Sequence, residues 1–353
     1  MIRVRASTLG LGLTFLLLLA LLLLLRGALL QAHLDKTIEY FASDAATYFS
    51  LYEDLYEQLD LAESPALFLI GSPILFMKLT NGNLFLIQGL NLALMVLSLK
   101  IAFDTLPGRR ARFEFMAGAL VFPYFLFGFL SLNKEVYAMC SAILFAAYLT
   151  GGKRTHLFAA LLLAACARYY MLLSLLTLLL MVPRERPPRY RLIFVLLIAI
   201  SVAAPLVKSL IPGYSGEDLL EDSGAAGVFF SNLIDSFGYA IAYPIKYLVL
   251  IPMRAYGLMI GSERTTDLFE SVVSIESLAA LLLALGILSR PRRSALAHRL
   301  IVAGLVAPIP MMWSEIMHWR YYSFVYFFFL YAIVVQRSHR RAPAARRAVL
   351  RHA

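Results

Sequence analysis

The run LGLGLTFLLLLALLLLL, from Leu9 to Leu25, decides the class of this protein. It contains no charged residue, and at about 17 residues it is just long enough to cross a bilayer core of ~30 Å as a helix. Of all 353 residues, 61% are hydrophobic and 15% are charged, and the mean hydropathy is +0.75. A water-soluble domain of this composition would aggregate, so the composition predicts an integral membrane protein.

The N-terminal run follows Arg3 and Arg5, as the apolar core of a cleavable signal peptide would. The residues that follow it, among them Arg26, Gln31 and His33, do not form the small-x-small pattern of a cleavage site. The pattern therefore favours an uncleaved signal anchor.

The net charge of +10 is distributed in short basic clusters between the apolar runs. This is the positive-inside pattern of cytoplasmic loops, and it argues against nucleic acid as a partner. The tail cluster is also expected to contact anionic membrane lipids. The clusters are Arg109, Arg110 and Arg112; Lys153 and Arg154; Arg184, Arg186, Arg189 and Arg191; Arg290, Arg292 and Arg293; and the tail from Arg337 to Arg351.

With these clusters inside, the sequence predicts an all-α bundle of about ten spans in the cell (inner) membrane, with both termini cytoplasmic. Residues 1–335 form one transmembrane domain and 336–353 a basic cytoplasmic tail. The outer loops 31–82 and 208–270 are expected to contain interfacial helices. The spans are Leu9–Leu25, Leu84–Phe103, Phe115–Leu130, Val136–Leu149, Leu157–Ala167, Met171–Val182, Leu192–Val207, Val272–Leu288, Leu300–Met312 and Tyr322–Val335.

This topology brings several polar residues to the outer face. Carboxylates there can take a proton from an incoming hydroxyl, and cations at membrane depth can bind phosphate. Simpler readings stay open: loop acids can be solvated surface, and the arginines can be interfacial anchors that reach lipid headgroups. The candidates are Asp44 in the first outer loop, Lys134 and Glu135 in the next outer turn, Arg168 in the third, and His318, Arg320 and Tyr321 in the last.

The order of these features resembles the GT-C superfamily of membrane glycosyltransferases. The resemblance covers most of residues 1–335 and rests on order and spacing rather than on one diagnostic motif. Its elements are Asp44 with Tyr48 after the first span, the proline-containing stretch Ser64–Leu79, the span and basic turn Leu84–Arg112, Asn133-Lys134-Glu135, Ala167-Arg168, and His318-Trp319-Arg320-Tyr321.

The resemblance implies an inverting transferase that moves a hexosyl or pentosyl unit from a polyprenyl-phosphate-linked donor to a glycan, lipid or protein acceptor outside the membrane. Asp44 and Glu135 would be the catalytic residues, with Asp44 the general base and Glu135 orienting the acceptor or assisting. The donor phosphate would be bound by Arg168 and Arg320, helped by Lys134 and His318, and Tyr321 would contact substrate.

Asp44 has no Asp-x-Asp or Asp-Glu neighbour, so no metal site is assigned, and a divalent cation stays an open alternative. Two other functions stay open as well. An O-antigen or exopolysaccharide polymerase shares the multi-span plan and the outer arginines. A lipid-linked sugar flippase or transporter should carry ionisable groups along a mid-membrane path. Such groups are scarce here, because Lys100 lies near a cytoplasmic end and Glu276 near an outer end.

The topology makes a testable prediction for residues 208–270. The apolar stretch Tyr239–Ile260 contains Pro244, Lys246, Pro252 and Arg254, which suits an interfacial segment better than a span. Single cysteines introduced at Glu217 and at Thr266 should therefore react with a membrane-impermeant maleimide added from outside. Cytoplasmic labelling at either position would overturn the topology from Val207 onward.

Overall fold

The computed structural model describes residues 72–128, 134–210, 268–291, 293–311 and 323–351, with a few isolated helical positions elsewhere. All regular structure in these ranges is helical, which confirms the predicted all-α class. The helices are α1 Ser72–Leu79, α2 Leu84–Thr105, α3 Arg109–Val121, α4 Pro123–Gly128, α5 Glu135–Leu149, α6 Arg154–Ala167, α7 Tyr169–Met181, α8 Tyr190–Leu210, α9 Leu268–Leu288, α10 Ala295–Val306 and α11 Val325–Arg351, with a 3-10 turn at Ile309–Met311.

One helical stretch among the described residues, Phe85–Thr105 in α2, is both long and apolar enough to cross a membrane. The other apolar helices of the described ranges do not meet both conditions. The helices group into two compact units, one ending at Tyr169 and the other beginning at Tyr170.

The central helix of the first unit is α5, which packs against α6 and α2. Thirteen of its 15 residues are buried, as expected for a helix that is apolar all round. The turn to α6 is tight: Gly151 has a φ of 121°, and the backbone N–H of Lys153 donates to Nδ1 of His156 at 3.2 Å. Because the connection is this short, the start of α5 and the end of α6 lie at the same end of the unit.

The polar and apolar residues of α2 are distributed in an unusual way. Gln88, Asn91 and Ser98 are buried, whereas Leu86 and Leu97 are 54% and 52% exposed. The helix begins at an N-cap, because the side chain of Asn83 accepts hydrogen bonds from the first backbone N–H groups of α2. The preceding α1 has only eight residues and rises ~12 Å, so the described part of the 65–79 stretch contains no spanning helix.

The segment predicted to span from Phe115 to Leu130 is not one continuous helix. The chain forms α3 and then α4, with Phe122 between them at φ −67° and ψ 107°. Pro123 explains this break, because proline disfavours the helical conformation in the residue before it and has no N–H to continue the hydrogen-bond ladder. The helix α10 also ends earlier than predicted, at Val306 rather than Met312; Ala307 keeps helical dihedrals, but Pro308 has no N–H to continue the hydrogen-bond ladder.

Two helices rather than one long one were predicted on either side of Arg168, and the structure confirms this. The first, α6, ends at Ala167; Arg168 is extended, with φ −165° and ψ 146°, and α7 begins at Tyr169. The last helix, α11, does not end at Val335 but continues to Arg351.

In the second unit α11 packs against α10 and α9. Residues 323–336 of this segment are all buried, and several are large aromatic side chains. The two helices approach each other closely at Gly304 of α10, where an added Cβ would lie 2.6 Å from the ring of Phe329 and 3.2 Å from Cβ of Phe328. Glycine is therefore required at this position for the contact between the two helices.

Replacing Gly304 with alanine should lower the free energy of unfolding by about 1–3 kcal/mol, because the added methyl group overpacks the α10–α11 contact. Gly286 of α9 is the matched control, since a Cβ there would meet nothing within 4 Å. Gly286→Ala should be neutral or stabilising by about 0.5–1 kcal/mol. Denaturant titration in detergent micelles measures both variants, and equal effects would contradict this packing.

Candidate functional site at the end of the first unit

Glu135 is the first residue of α5 and is buried. A carboxylate in the first turn of a helix is stabilised by the partial positive charge of the unpaired backbone N–H groups there. Lys134 occupies the N-cap position and is buried too. Its carbonyl accepts hydrogen bonds from the backbone N–H groups of Tyr137 and Ala138, which fixes the start of the helix.

Arg168 lies at the break between α6 and α7. Its backbone N–H donates to the carbonyl of Ala164 at 3.0 Å and so completes the last turn of α6. The extended backbone at Arg168 turns this residue out of the helical path. The hydrogen bond and the extended backbone together define where the Arg168 side chain begins.

Arg168 and Glu135 form an ion pair, although 33 positions of sequence separate them. Nη2 of Arg168 donates to Oε1 of Glu135 at 3.2 Å, and the side chains are only 17% and 6% exposed. A charge-assisted hydrogen bond of this kind is stronger than a neutral one. Because water is largely excluded, the attraction between the two charges is also weakly screened.

The site has more positive than negative formal charge among its described residues. Lys134 and Arg168 contribute two cations and Glu135 one carboxylate. A buried group of charges is stable only when the charges are balanced or bonded. A guanidinium also presents a planar fork of donors that suits the oxygen pairs of a phosphate.

One contact between aromatic rings and one close approach of a glycine hold the start of α5 in place. The ring of Tyr137 packs on Phe76 of α1, with centroids 5.7 Å apart and planes tilted by 45°. Gly128, the last residue of α4, lies so close to α5 that a Cβ there would be 2.6 Å from a methyl group of Val136. The short helices α1 and α4 thus pack beside Glu135, although no sequence motif indicated it.

The structure brings together two of the predicted site residues, Glu135 and Arg168, with Lys134 next to them in the chain. The remaining predicted residues, Asp44, His318, Arg320 and Tyr321, lie outside the described residues. Within the described ranges, no group of three or more histidine, cysteine or acidic residues is arranged to bind a metal ion.

Sequence reasoning missed a second polar group, in the other unit, that joins Tyr190 at the start of α8 to His298 in the first turn of α10. The available signal was position: both residues stand directly before an apolar run and beside a basic cluster. No pattern of spacing indicated that they would contact each other across 108 residues.

No protein-family model matches this chain, and no match is found among the curated proteins or the solved structures. The functional proposal rests on the residues of the chain itself.

Breaking the buried ion pair should destabilise the protein strongly. Arg168→Gln leaves the Glu135 carboxylate buried without its guanidinium, and we expect a loss of about 3–5 kcal/mol in the free energy of unfolding. The double variant Glu135→Gln/Arg168→Gln should lose clearly less than the sum of the two single variants, since the two groups are coupled.

The control is the exposed pair of Lys100 and Asp104, whose atoms are 2.8 Å apart but whose side chains are more than half exposed. Lys100→Gln should cost at most about 1 kcal/mol. Denaturant titration in micelles gives all four values. A loss in Arg168→Gln no larger than that in Lys100→Gln would mean that the observed pair does not hold the fold.

Proposed function

We propose that this chain is a polytopic membrane protein of about ten spans, with both termini and the basic loops in the cytoplasm. The distribution of residues on α2 supports this, because Gln88, Asn91 and Ser98 are buried while Leu86 and Leu97 are more than half exposed. In a bilayer, polar groups between helices hold them together and leucines face the lipid. The helices α8 and α9, with 21 residues each, are ~30 Å long at ~1.5 Å per residue and so match the bilayer core.

The basic residues also support one orientation of the first unit. Arg109 and Arg110 begin α3, and Lys153 with Arg154 precedes or begins α6. All four therefore stand at the end opposite to Glu135 and Arg168, given how the helices connect. If the basic end faces the cytoplasm, the ion pair lies in the outer leaflet.

We propose that the protein is an extracytoplasmic glycosyltransferase that uses a polyprenyl-phosphate-linked sugar. The observation that carries this proposal is the buried ion pair of Arg168 and Glu135, which holds a guanidinium shielded from solvent beside the carboxylate that follows Lys134 in the chain. A fixed cation there can stabilise the negative charge that develops on the leaving phosphate, and this is the main requirement of the reaction. The resemblance to GT-C enzymes in the order of sequence features points the same way.

In the proposed reaction, the acceptor hydroxyl oxygen attacks the anomeric carbon while the bond from that carbon to the phosphate oxygen breaks. The hydroxyl proton passes to Asp44, and the electron pair of the broken bond leaves on the polyprenyl phosphate. Attack from the opposite side inverts the configuration. Arg168 and Arg320, with Lys134 and His318, neutralise the leaving phosphate, and Tyr321 contacts the substrate.

The geometry refines the proposed role of Glu135. Its Oε1 already accepts a hydrogen bond from Arg168, so the carboxylate is better suited to orienting that guanidinium than to taking a proton from an acceptor. We therefore propose Glu135 as a positioning residue for Arg168 and leave the general base to Asp44. This arrangement is analogous to the outer groups that orient the direct ligands of a metal ion.

The conservative variant Arg168→Lys tests phosphate binding. A lysine ammonium keeps the charge but cannot present the planar fork of donors. We expect the variant to bind undecaprenyl phosphate about tenfold to a hundredfold more weakly, as expected for a lost charge-assisted hydrogen bond. Binding of undecaprenol, which has no phosphate, should be unchanged. Titration of both lipids into the purified full chain in micelles measures this difference.

The matched control is Arg154→Lys, an exposed arginine at the other end of the same helix. It should leave binding of both lipids unchanged. If Arg168→Lys binds undecaprenyl phosphate as well as the original protein does, Arg168 is a structural partner of Glu135 only, and the transferase proposal fails. Preference for undecaprenyl diphosphate over the monophosphate would instead favour the polymerase alternative.

A further inference from the structure

A group of basic and aromatic side chains in the second unit is not used by the proposed reaction. The hydroxyl of Tyr190 and Nε2 of His298 are 2.7 Å apart, a hydrogen bond whose direction depends on the tautomer of the imidazole. The two rings are also stacked, with centroids 6.1 Å apart and planes inclined by 27°. We call Arg184, Tyr190, Arg293, His298 and Arg299 the basic cluster.

The cluster contains three arginines, one histidine and one tyrosine, and no acidic residue. Burial, and after it the charges of Arg293 and Arg299, lowers the pKa of His298. Burial, and after it the charge of Arg184, lowers the pKa of Arg299. Arg184 therefore lies within electrostatic reach of Arg299.

Arg299 is the residue that most needs an explanation. Its side chain is half-buried, and within the part of the chain that the structure describes its Nε has no hydrogen-bond partner. A buried guanidinium nitrogen without an acceptor costs free energy, and a like charge nearby adds to this cost. Both costs disappear when an anion accepts hydrogen bonds from it.

The backbone around the cluster is fixed by specific hydrogen bonds. Nη1 of Arg293 donates to the carbonyl of Leu288 at 2.6 Å and caps the end of α9. The backbone N–H of Ser294 donates to Oε1 of Gln336 at 2.8 Å and ties this turn to α11. The backbone N–H of Arg189 donates to the carbonyl of Met181 at 2.8 Å. Such a framework can hold a preformed site.

We propose that the basic cluster binds the phosphate of an anionic phospholipid headgroup in the cytoplasmic leaflet. Arginine offers a planar fork of donors to phosphate oxygens, and the Tyr190–His298 pair adds uncharged polar groups beside it. Basic pockets between helices on the cytoplasmic side are well suited to anionic headgroups.

The surface next to the cluster favours a lipid over a free phosphate ion. Tyr190 begins α8, and one helical turn further along the same face stands Phe194, followed by Ile198 and Val202. All four side chains are exposed, Phe194 by 64%. This apolar stripe starts at the basic cluster and runs along α8, so an acyl chain can lie on it while the headgroup stays at the arginines.

The proposal requires the membrane orientation proposed above but not the glycosyl-transfer reaction. Its test uses the purified full chain, incubated with phosphatidylglycerol or with phosphatidylcholine, and native mass spectrometry to measure how much of each lipid is retained. We expect retention of phosphatidylglycerol in preference to phosphatidylcholine. Arg299→Gln should weaken phosphatidylglycerol binding about fivefold, the effect of one basic residue near a headgroup.

Arg191→Gln is the matched control, because Arg191 is an exposed arginine in the first turn of α8 and lies outside the cluster. It should change phosphatidylglycerol binding clearly less than Arg299→Gln does. If Arg299→Gln does not fold, Arg184→Gln replaces it and should show the same loss. Equal effects in the cluster and control variants, or no preference for phosphatidylglycerol, would overturn the proposal.

Inorganic phosphate distinguishes the two sources of the anion. At millimolar concentration it should displace little phosphatidylglycerol, because the acyl chains contribute to binding. Complete displacement would mean a site for free phosphate and would overturn the lipid assignment. Binding of undecaprenyl phosphate at Arg168 should be unaffected by Arg299→Gln, so failure of this proposal can be told apart from failure of the transferase proposal.

Discussion

The ion pair between Arg168 and Glu135 is the contact on which the candidate site depends. It joins the first residue of α5 to the residue where α6 ends, and both side chains are mostly shielded from solvent. Each charge is tolerable there because the other is present. The pair therefore fixes the relative position of two helices, and it also keeps a guanidinium at a depth where an isolated one would be too costly. In the proposed enzyme, one interaction serves both the fold and the phosphate.

Much of this arrangement could be predicted from sequence, because it follows from the number of spans between one basic turn and the next. The basic clusters assign alternate turns to opposite sides, so Glu135 and Arg168 were expected at the same end. The break at Arg168 was also predictable, since a charged residue between two short apolar runs is unfavourable within one long span. What the pattern did not reveal was the direct contact between the two side chains, which depends on how far each helix extends. The actual bounds are Glu135–Leu149 and Arg154–Ala167, so Glu135 is the first residue of α5 and Arg168 directly follows α6.

The errors have a common physical cause. The hydropathy pattern shows apolar runs but not the backbone conformation within them. The predicted spans therefore joined α3 and α4 across Phe122 and extended α10 past Pro308. In both places proline ends a helix while the chain stays apolar. The sequence did not indicate close contacts either. Nothing in it distinguishes Gly304, where an added Cβ would meet Phe329, from Gly286, where an added Cβ would meet nothing within 4 Å. The glycines differ only in what the fold brings to them.

Arg168 in the first unit and Arg299 in the second illustrate two solutions to the same problem of a partly buried arginine. Arg168 has a carboxylate partner within the chain, so its position is fixed without a ligand, and an enzyme needs that preorganisation to stabilise a developing charge. Arg299 has a second arginine in its neighbourhood instead, and its Nε lacks an acceptor among the described residues. A site of that kind is less stable when empty and gains more from an anion, which suits lipid retention better than turnover. The difference in partner, carboxylate or guanidinium, is thus the physical basis on which we propose catalysis at Arg168 and lipid binding at Arg299.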